Sequence, residues 1–319
     1  MRKLLYMLIA STLLSLNCAA MDQTKAEVIP VRKVNCAVDV STCTDFDAIV
    51  FVHGIYGDRD TFINPDTKFN WPEQMPLKFG ERSVDIFLLN YQTELIAWTK
   101  HANPEFTDLT DAVYAAMKPL RVRQYRSIGF IAHSLGGNVV STYIHYNKTA
   151  RNHPASSQHA YVVTLATPVL GAQIADIGEH LKSAFGMQDT VLASLQKNNL
   201  FLQMLLKFRK LEGNKREMYG CRAINLHAAY EEKHIGPLLV VDRDSAGQSV
   251  ADLTSSPIVG FNLNHFSIAK PTNQQHEVYR WVNQRIEDEF VRLSTWSKAV
   301  SNQPYDRKLC TDISFKPEV

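Results

Sequence analysis

Ser134 is the residue in this chain best placed to do covalent chemistry. It stands in GFIAHSLGGNVVS, from Gly129 to Ser141, where an apolar run stops on His133 and Ser134 and two glycines follow. A serine at the C-terminal end of a buried strand, followed by Gly136 and Gly137 that permit a sharp turn into a helix, presents its hydroxyl where a base can reach it. That chemistry is nucleophilic: the hydroxyl attacks a carbonyl carbon and takes up the acyl group. The usual Gly-x-Ser-x-Gly pattern begins on glycine, and Ala132 stands in that place here, a difference of one methyl group. A serine capping a helix would give the same five-residue match, so the rest of the apparatus has to decide.

Acyl transfer needs two backbone N–H groups aimed at the developing oxyanion. The amide of Leu135, next to the serine, is one. The other is expected from the loop after an early strand, VHGIYGD from Val52 to Asp58, where Gly54 lets the backbone approach and Ile55 offers its amide. His53 precedes that turn and reads as a structural hydrogen-bonding residue. The base is expected late in the chain, because the order with such a serine turn is serine, acid, histidine. His265, in FNLNHFSIAKP, meets that description. His276 opens the final helix and reads as solvated, whereas His227 and His234 fall too near the expected acid. Glu231, directly after a strand, is placed first as the acid on position alone; Glu232, Asp242 and Asp244 are its rivals, the last two in VVDRDSA, which ends an apolar run before the base.

Residues so far apart need a scaffold that brings strand ends together. Buried strands are expected at Asp45–Val52, Val84–Asn90, Gly129–His133, His159–Leu165 and Arg222–Tyr230, with Pro237–Val241 either a strand or a packed loop. Thr107 is a plausible N-cap for a helix reaching Leu120, with Leu109, Val113, Ala116 and Met117 on one face. Val278, Trp281, Val282, Ile286, Phe290 and Leu293 form the core stripe of a last helix. Short apolar strands alternating with helices indicate βαβ units and a mostly parallel sheet. The alternation breaks over residues 176–211, where an apolar segment reads as two or three amphipathic helices, a cap-like insertion or plain packing.

Composition narrows the classes of function. The chain has 319 residues, 45% of them hydrophobic, enough for one large domain. Residues 1–20 carry Arg2 and Lys3, an apolar run and Cys18-Ala19-Ala20, the features of a secretory signal cleaved after Ala20. The run is shorter than the ~20 residues a spanning helix needs, and Asn17 argues against acylation of Cys18. Removing that segment lowers the 34 basic residues to 32, against 32 acidic ones. A neutral product has no basic stripe for nucleic acid. Four further cysteines remain, of which Cys36 and Cys43 suggest a small loop staple and Cys221 with Cys310 a tie to the tail. None has the CxxC spacing of a zinc site, and the chemistry calls for neither metal nor organic cofactor. The expected organisation is a signal segment 1–20, an arm 21–44, a catalytic domain 45–300 and a tail 301–319, in a protein that is periplasmic or secreted.

The segments together resemble the α/β-hydrolase superfamily, and within it the serine esterases and lipases that include the GPI-inositol deacylases and the serine active-site-containing protein of phosphatidylglycerol remodelling. The matching stretches are VHGIYGD, Trp71-Pro72, AHSLGGNVV, LATPVLGAQIA, AAYEEK, VVDRDSA and NHFSIAKP, and the last three point to this group. The resemblance implies an α/β-hydrolase fold, a mostly parallel central sheet flanked by helices. It also implies a glutamate acid at Glu231 and a base at His265. Asp242 departs from relatives that have proline there. The expected activity is cleavage of carboxylic esters, lipid or otherwise apolar, with transient contact to a membrane or lipid surface. The same machinery would serve an acyltransferase, a thioesterase or a peptidase, and a non-catalytic binding protein of this fold would have a broken triad.

Overall fold

A computed structural model describes residues 26–32, 36, 43–54, 57–91, 104–149, 158–169, 224–236, 239–247 and 254–300. The expected signal segment, the insertion 176–211, the tail, Cys221, Cys310 and Ile55 lie outside them.

Among the described residues the strands are β1 (Ala26–Pro30), β2 (Phe46–Val52), β3 (Lys78–Phe79), β4 (Arg82–Tyr91), β5 (Ser127–His133), β6 (His159–Leu165), β7 (Asn225–Glu231) and β8 (Val259–Phe261). They form one sheet in the order β1-β4-β2-β5-β6-β7-β8, with β3 paired to β4. The pairs of β4, β2, β5, β6, β7 and β8 are parallel. Only β1 and β3 run antiparallel, both against β4.

The helices are α1 (Trp71–Gln74), α2 (Pro104–Ala116), α3 (Lys118–Val122), α4 (Leu135–Thr149) and α5 (Glu277–Val300). They cover both faces of the sheet, which explains why the central strands read as continuous apolar runs. Side chains alternate along β2: Ile49 and Phe51 join a core with Trp71, Val278, Val282 and Ile286. Ala48, Val50 and Val52 join the opposite core, with Leu109, Val113, Val139 and Tyr143. The apolar stripe of α5 thus covers one face, while α2 and α4 cover the other.

Several boundaries differ from expectation. Helix α2 begins at Pro104, so Thr107 lies within it and not at its N-cap, and a break at Met117 separates α2 from α3. Proline suits a first helical turn, whose N–H groups have no intrahelical acceptor. Residues 26–30 of the expected arm form edge strand β1. Of the run expected at Pro237–Val241, residues 239–241 form a packed loop and 237–238 lie outside the described residues; the last strand among the described residues is the three-residue β8.

Candidate active site

The parallel strands all end on one side of the sheet, and the chemistry-bearing residues gather there. Ser134 follows directly on β5 and precedes the first residue of α4, with a φ of 52°. That is a left-handed conformation uncommon for a residue with a side chain, and a sharp strand-to-helix turn requires it. Its amide is held by the Leu165 carbonyl at 2.9 Å, at the end of β6.

Two glycines let the chain close around the turn. A Cβ on Gly136 would stand 2.4 Å from the His53 carbonyl oxygen, so α4 starts directly against the end of β2. A Cβ on Gly54 would stand 2.7 Å from Ser134 Cβ. The loop that leaves β2 therefore touches the serine, and Gly57 N closes back on the Gly54 carbonyl at 3.1 Å. His53 is buried, stacked on the Tyr91 ring, and both its ring nitrogens meet backbone groups. Its Nδ1–H donates to the Gly54 carbonyl at 2.9 Å, Nε2 accepts from Tyr91 N at 3.3 Å, and the Tyr91 hydroxyl donates to the His53 carbonyl at 2.6 Å. Burial holds its pKa below the usual histidine value, and it stays neutral.

His265 lies after β8 and reaches back to the serine. Its Nε2 is 2.9 Å from Ser134 Oγ, and its Nδ1 is 2.7 Å from Glu231 Oε2. Because the carboxylate only accepts, Nδ1 carries the proton and Nε2 is free to accept from the hydroxyl. Glu231 is the last residue of β7 and is 0% exposed. Its other oxygen, Oε1, accepts from the amides of Val240 at 2.7 Å and Val241 at 3.1 Å. A buried carboxylate needs such donors, and this one has them from a loop whose side chains point into the core. The apolar run at 239–241 thus supplies amides to the acid, a role its side-chain pattern does not announce.

The rival acids lie elsewhere. Glu232 is exposed and accepts from the Tyr230 hydroxyl at 3.3 Å. Asp242 accepts from Ser245 N at 2.7 Å within its own turn, and Asp244 is exposed beside it. His234 is exposed as well, and His276 is half-buried at the start of α5, where it reads as solvated from sequence. His227 is buried at the other end of β7, between Ser256 Oγ at 2.9 Å and Glu289 Oε1 at 2.7 Å. Leu135 is the first residue of α4, so its N–H points out of the helix end with no intrahelical acceptor. Among the described residues no three His, Cys, Asp or Glu side chains group as metal ligands would.

Residues 47–204 match the family described as "Putative serine esterase (DUF676)". That stretch of the chain belongs to this family. Among solved structures, the enzyme is similar to phospholipase PlaB from Legionella pneumophila, at 15% identity and a TM-score of 0.50, covering 82% of this chain and 67% of that one. It is also similar to esterase B from Lactobacillus rhamnosis, at 11% identity and 0.49, covering 95% and 99%. The lipase BlEst2 from Bacillus licheniformis gives 18% identity and 0.46, covering 73% and 90%. Likeness at these identities is one of fold, that of the α/β-hydrolases. No curated protein matches the sequence.

Proposed function

We propose that this esterase cleaves carboxylic esters through an acyl-enzyme on Ser134, that it is exported, and that its substrates carry apolar acyl groups. The observation that carries the reading is the relay from Ser134 Oγ through His265 to a fully buried Glu231, with hydrogen bonds of 2.9 and 2.7 Å. Attack forms the Oγ–C bond while the hydroxyl proton moves to His265 Nε2, and Glu231 stabilises the imidazolium this creates. The amides of Leu135 and Ile55 receive the oxyanion, the first with the help of the helix end it opens. The carbonyl re-forms as the C–O bond to the leaving alkoxide breaks, and that alkoxide takes the proton from Nε2. Water then repeats the sequence, giving its proton to Nε2 and its oxygen to the acyl carbon. The acid departs, and Ser134 recovers its proton.

Export is supported by the charged and apolar pattern of residues 1–20 and by the disulfide between Cys36 and Cys43, a bond typical of oxidising compartments. Apolar substrates are supported by the run of leucines and phenylalanines in 176–211, suited to sheltering an acyl chain.

Fluorophosphonate labelling tests the reading. Wild type is expected to label, Ser134→Ala not at all, and His265→Ala at a rate lower by about 10⁴-fold or more. p-Nitrophenyl esters of rising chain length are expected to turn over faster as the chain grows. A folded wild type that neither labels nor hydrolyses any of them would overturn the catalytic reading.

A further inference from the structure

Next to the nucleophile stands a second buried histidine that the mechanism above does not use. His133 is 6% exposed, and its Nε2 lies 2.7 Å from the backbone carbonyl of His265. A carbonyl only accepts, so Nε2 carries the proton and donates. The two rings stand 5.0 Å apart between centroids, tilted by 48°. His133 Nδ1 is buried and has no hydrogen-bond partner among the described residues. A side chain present only to fill space would be apolar here, since an unpartnered buried acceptor is unfavourable. What the polar side chain contributes here is its one donor.

What that donor holds is the peptide of the base. The loop after β8 is fixed on either side of His265 by other bonds: Lys233 N donates to the Leu263 carbonyl at 3.0 Å, and Asn264 Oδ1 accepts from Phe266 N at 3.1 Å and Ser267 N at 2.9 Å. The carbonyl of His265 itself is held by His133, from the strand that carries the nucleophile. Two links thus join the nucleophile's strand to the base: Ser134 Oγ to Nε2, and His133 to the backbone. Acylation consumes the first, because Oγ becomes an ester oxygen and no longer donates.

We infer that His133 is a positioning residue, keeping the imidazole of His265 in line with the acylated Ser134 so that it can activate the water of deacylation. The inference rests on the ester-hydrolysis reading above. Burial, and then the neighbouring His265, lowers the pKa of His133 to about 3, in keeping with a neutral ring that donates through Nε2. Glu231 orients the ring of His265, and His133 places its backbone.

The test is pre-steady-state and steady-state hydrolysis of p-nitrophenyl butyrate by the full chain, with active sites counted by fluorophosphonate. It compares wild type, His133→Phe, His133→Leu as a smaller apolar replacement, and His133→Gln, whose side-chain amide reaches about as far as Nε2. For the apolar variants kcat is expected to fall between about 10- and 100-fold, as expected when a reacting group is displaced by ~1 Å. Their kcat/KM falls less, KM drops, and a burst of about one equivalent of p-nitrophenol marks a stalled acyl-enzyme. His133→Gln is expected to remain within a few-fold of wild type. Unchanged kcat per titrated site in either apolar variant would overturn the inference. An equal loss in the glutamine variant, or kcat and kcat/KM falling together without a burst, would overturn it too, since a purely packing role gives those results. Ser134→Ala separates the two readings: a wild type as inactive as that variant would end both, whereas an active wild type confines any failure to His133.

Discussion

Two fully buried carboxylates stand at opposite ends of the sheet, and they are satisfied in different ways. Asp47, near the start of β2, is 0% exposed and meets two guanidinium groups. Arg82 binds it twice at 2.8 Å, Arg126 Nη2 lies 2.5 Å from Oδ2, and Ser127 Oγ donates to Oδ1 at 2.6 Å. Glu231, at the end of β7, meets no permanent cation among the described residues, where its partners are two backbone amides and the imidazole of His265. Permanent charges cancel the field of Asp47 and leave a fixed joint. Dipoles hold Glu231 without cancelling its charge, so that charge remains available to an imidazolium that exists only during reaction.

Removing one charge at each end is expected to have opposite effects on activity and stability. Glu231→Gln keeps an oxygen for the Val240 and Val241 amides but offers an NH₂ group, or a neutral oxygen, to His265. An NH₂ donor facing Nδ1 forces the proton onto Nε2, the wrong tautomer for a base. kcat is expected to fall by about 10³- to 10⁴-fold, with little change in the urea midpoint. Asp47→Asn should do the reverse. Two arginines lose their counter-charge, one of them, Arg82, also bonded to the Phe290 carbonyl and Ser294 Oγ of α5. Breaking a buried pair costs ~3–5 kcal/mol, read as a lowered urea midpoint, while kcat per folded molecule is expected to stay within about two-fold. A large activity loss in Asp47→Asn with unchanged stability would show that the two ends are not separate in role.

The same contrast has a pH signature. Burial alone would raise the pKa of Asp47, but the hydrogen bonds from Arg82 and Arg126 outweigh it, and the carboxyl titrates below its usual 3.8. Glu289 is likewise raised by burial and lowered further by its bond from His227 and by Arg292, to below 4.5. A carboxyl whose folded pKa lies below its unfolded one binds fewer protons when folded. Its contribution is therefore present above the unfolded pKa and is lost as pH falls through the folded one. Urea midpoints of wild type are expected to hold from pH 7 to about pH 5 and to decline below pH 4. Asp47→Asn should start lower and decline less steeply, since one of the two titrating groups is gone.

The active end was the more legible of the two in sequence, and the reason is physical. A sharp turn after a strand writes itself locally as a serine followed by glycines, and the order of strand ends then places Glu231 and His265 after it. Asp47, Arg82 and Arg126 are distant along the chain and lie in no recognisable pattern, so nothing local announces their meeting. Backbone donors are equally silent: residues 239–241 read as an apolar run whichever way their amides point. Strands β1 and β8 are not legible in sequence because they are short and only partly buried, which leaves no clear alternation. In sequence His133 is merely part of the turn, because its bond is to the backbone of a residue far along the chain.

The disulfide sharpens the contrast at the smallest scale. Cys36 and Cys43 are bonded, with Cα atoms 5.7 Å apart, and both are buried. Cys36 N donates to Asp85 Oδ2 at 3.2 Å, and the Cys43 carbonyl accepts from Phe46 N at 3.0 Å, one residue before Asp47. The bond thus secures the chain as it enters β2, at the fixed end of the sheet. Closing so short a loop restricts the unfolded chain only modestly, and Cys36→Ser with Cys43→Ser is expected to cost ~2 kcal/mol of stability. kcat should be unchanged, because the lost link lies at the opposite end of β2 from Gly54. If the paired replacement lowered kcat per titrated site while Asp47→Asn did not, the strand would be transmitting strain from its entry to the oxyanion loop, and the fixed end would have a part in the chemistry after all.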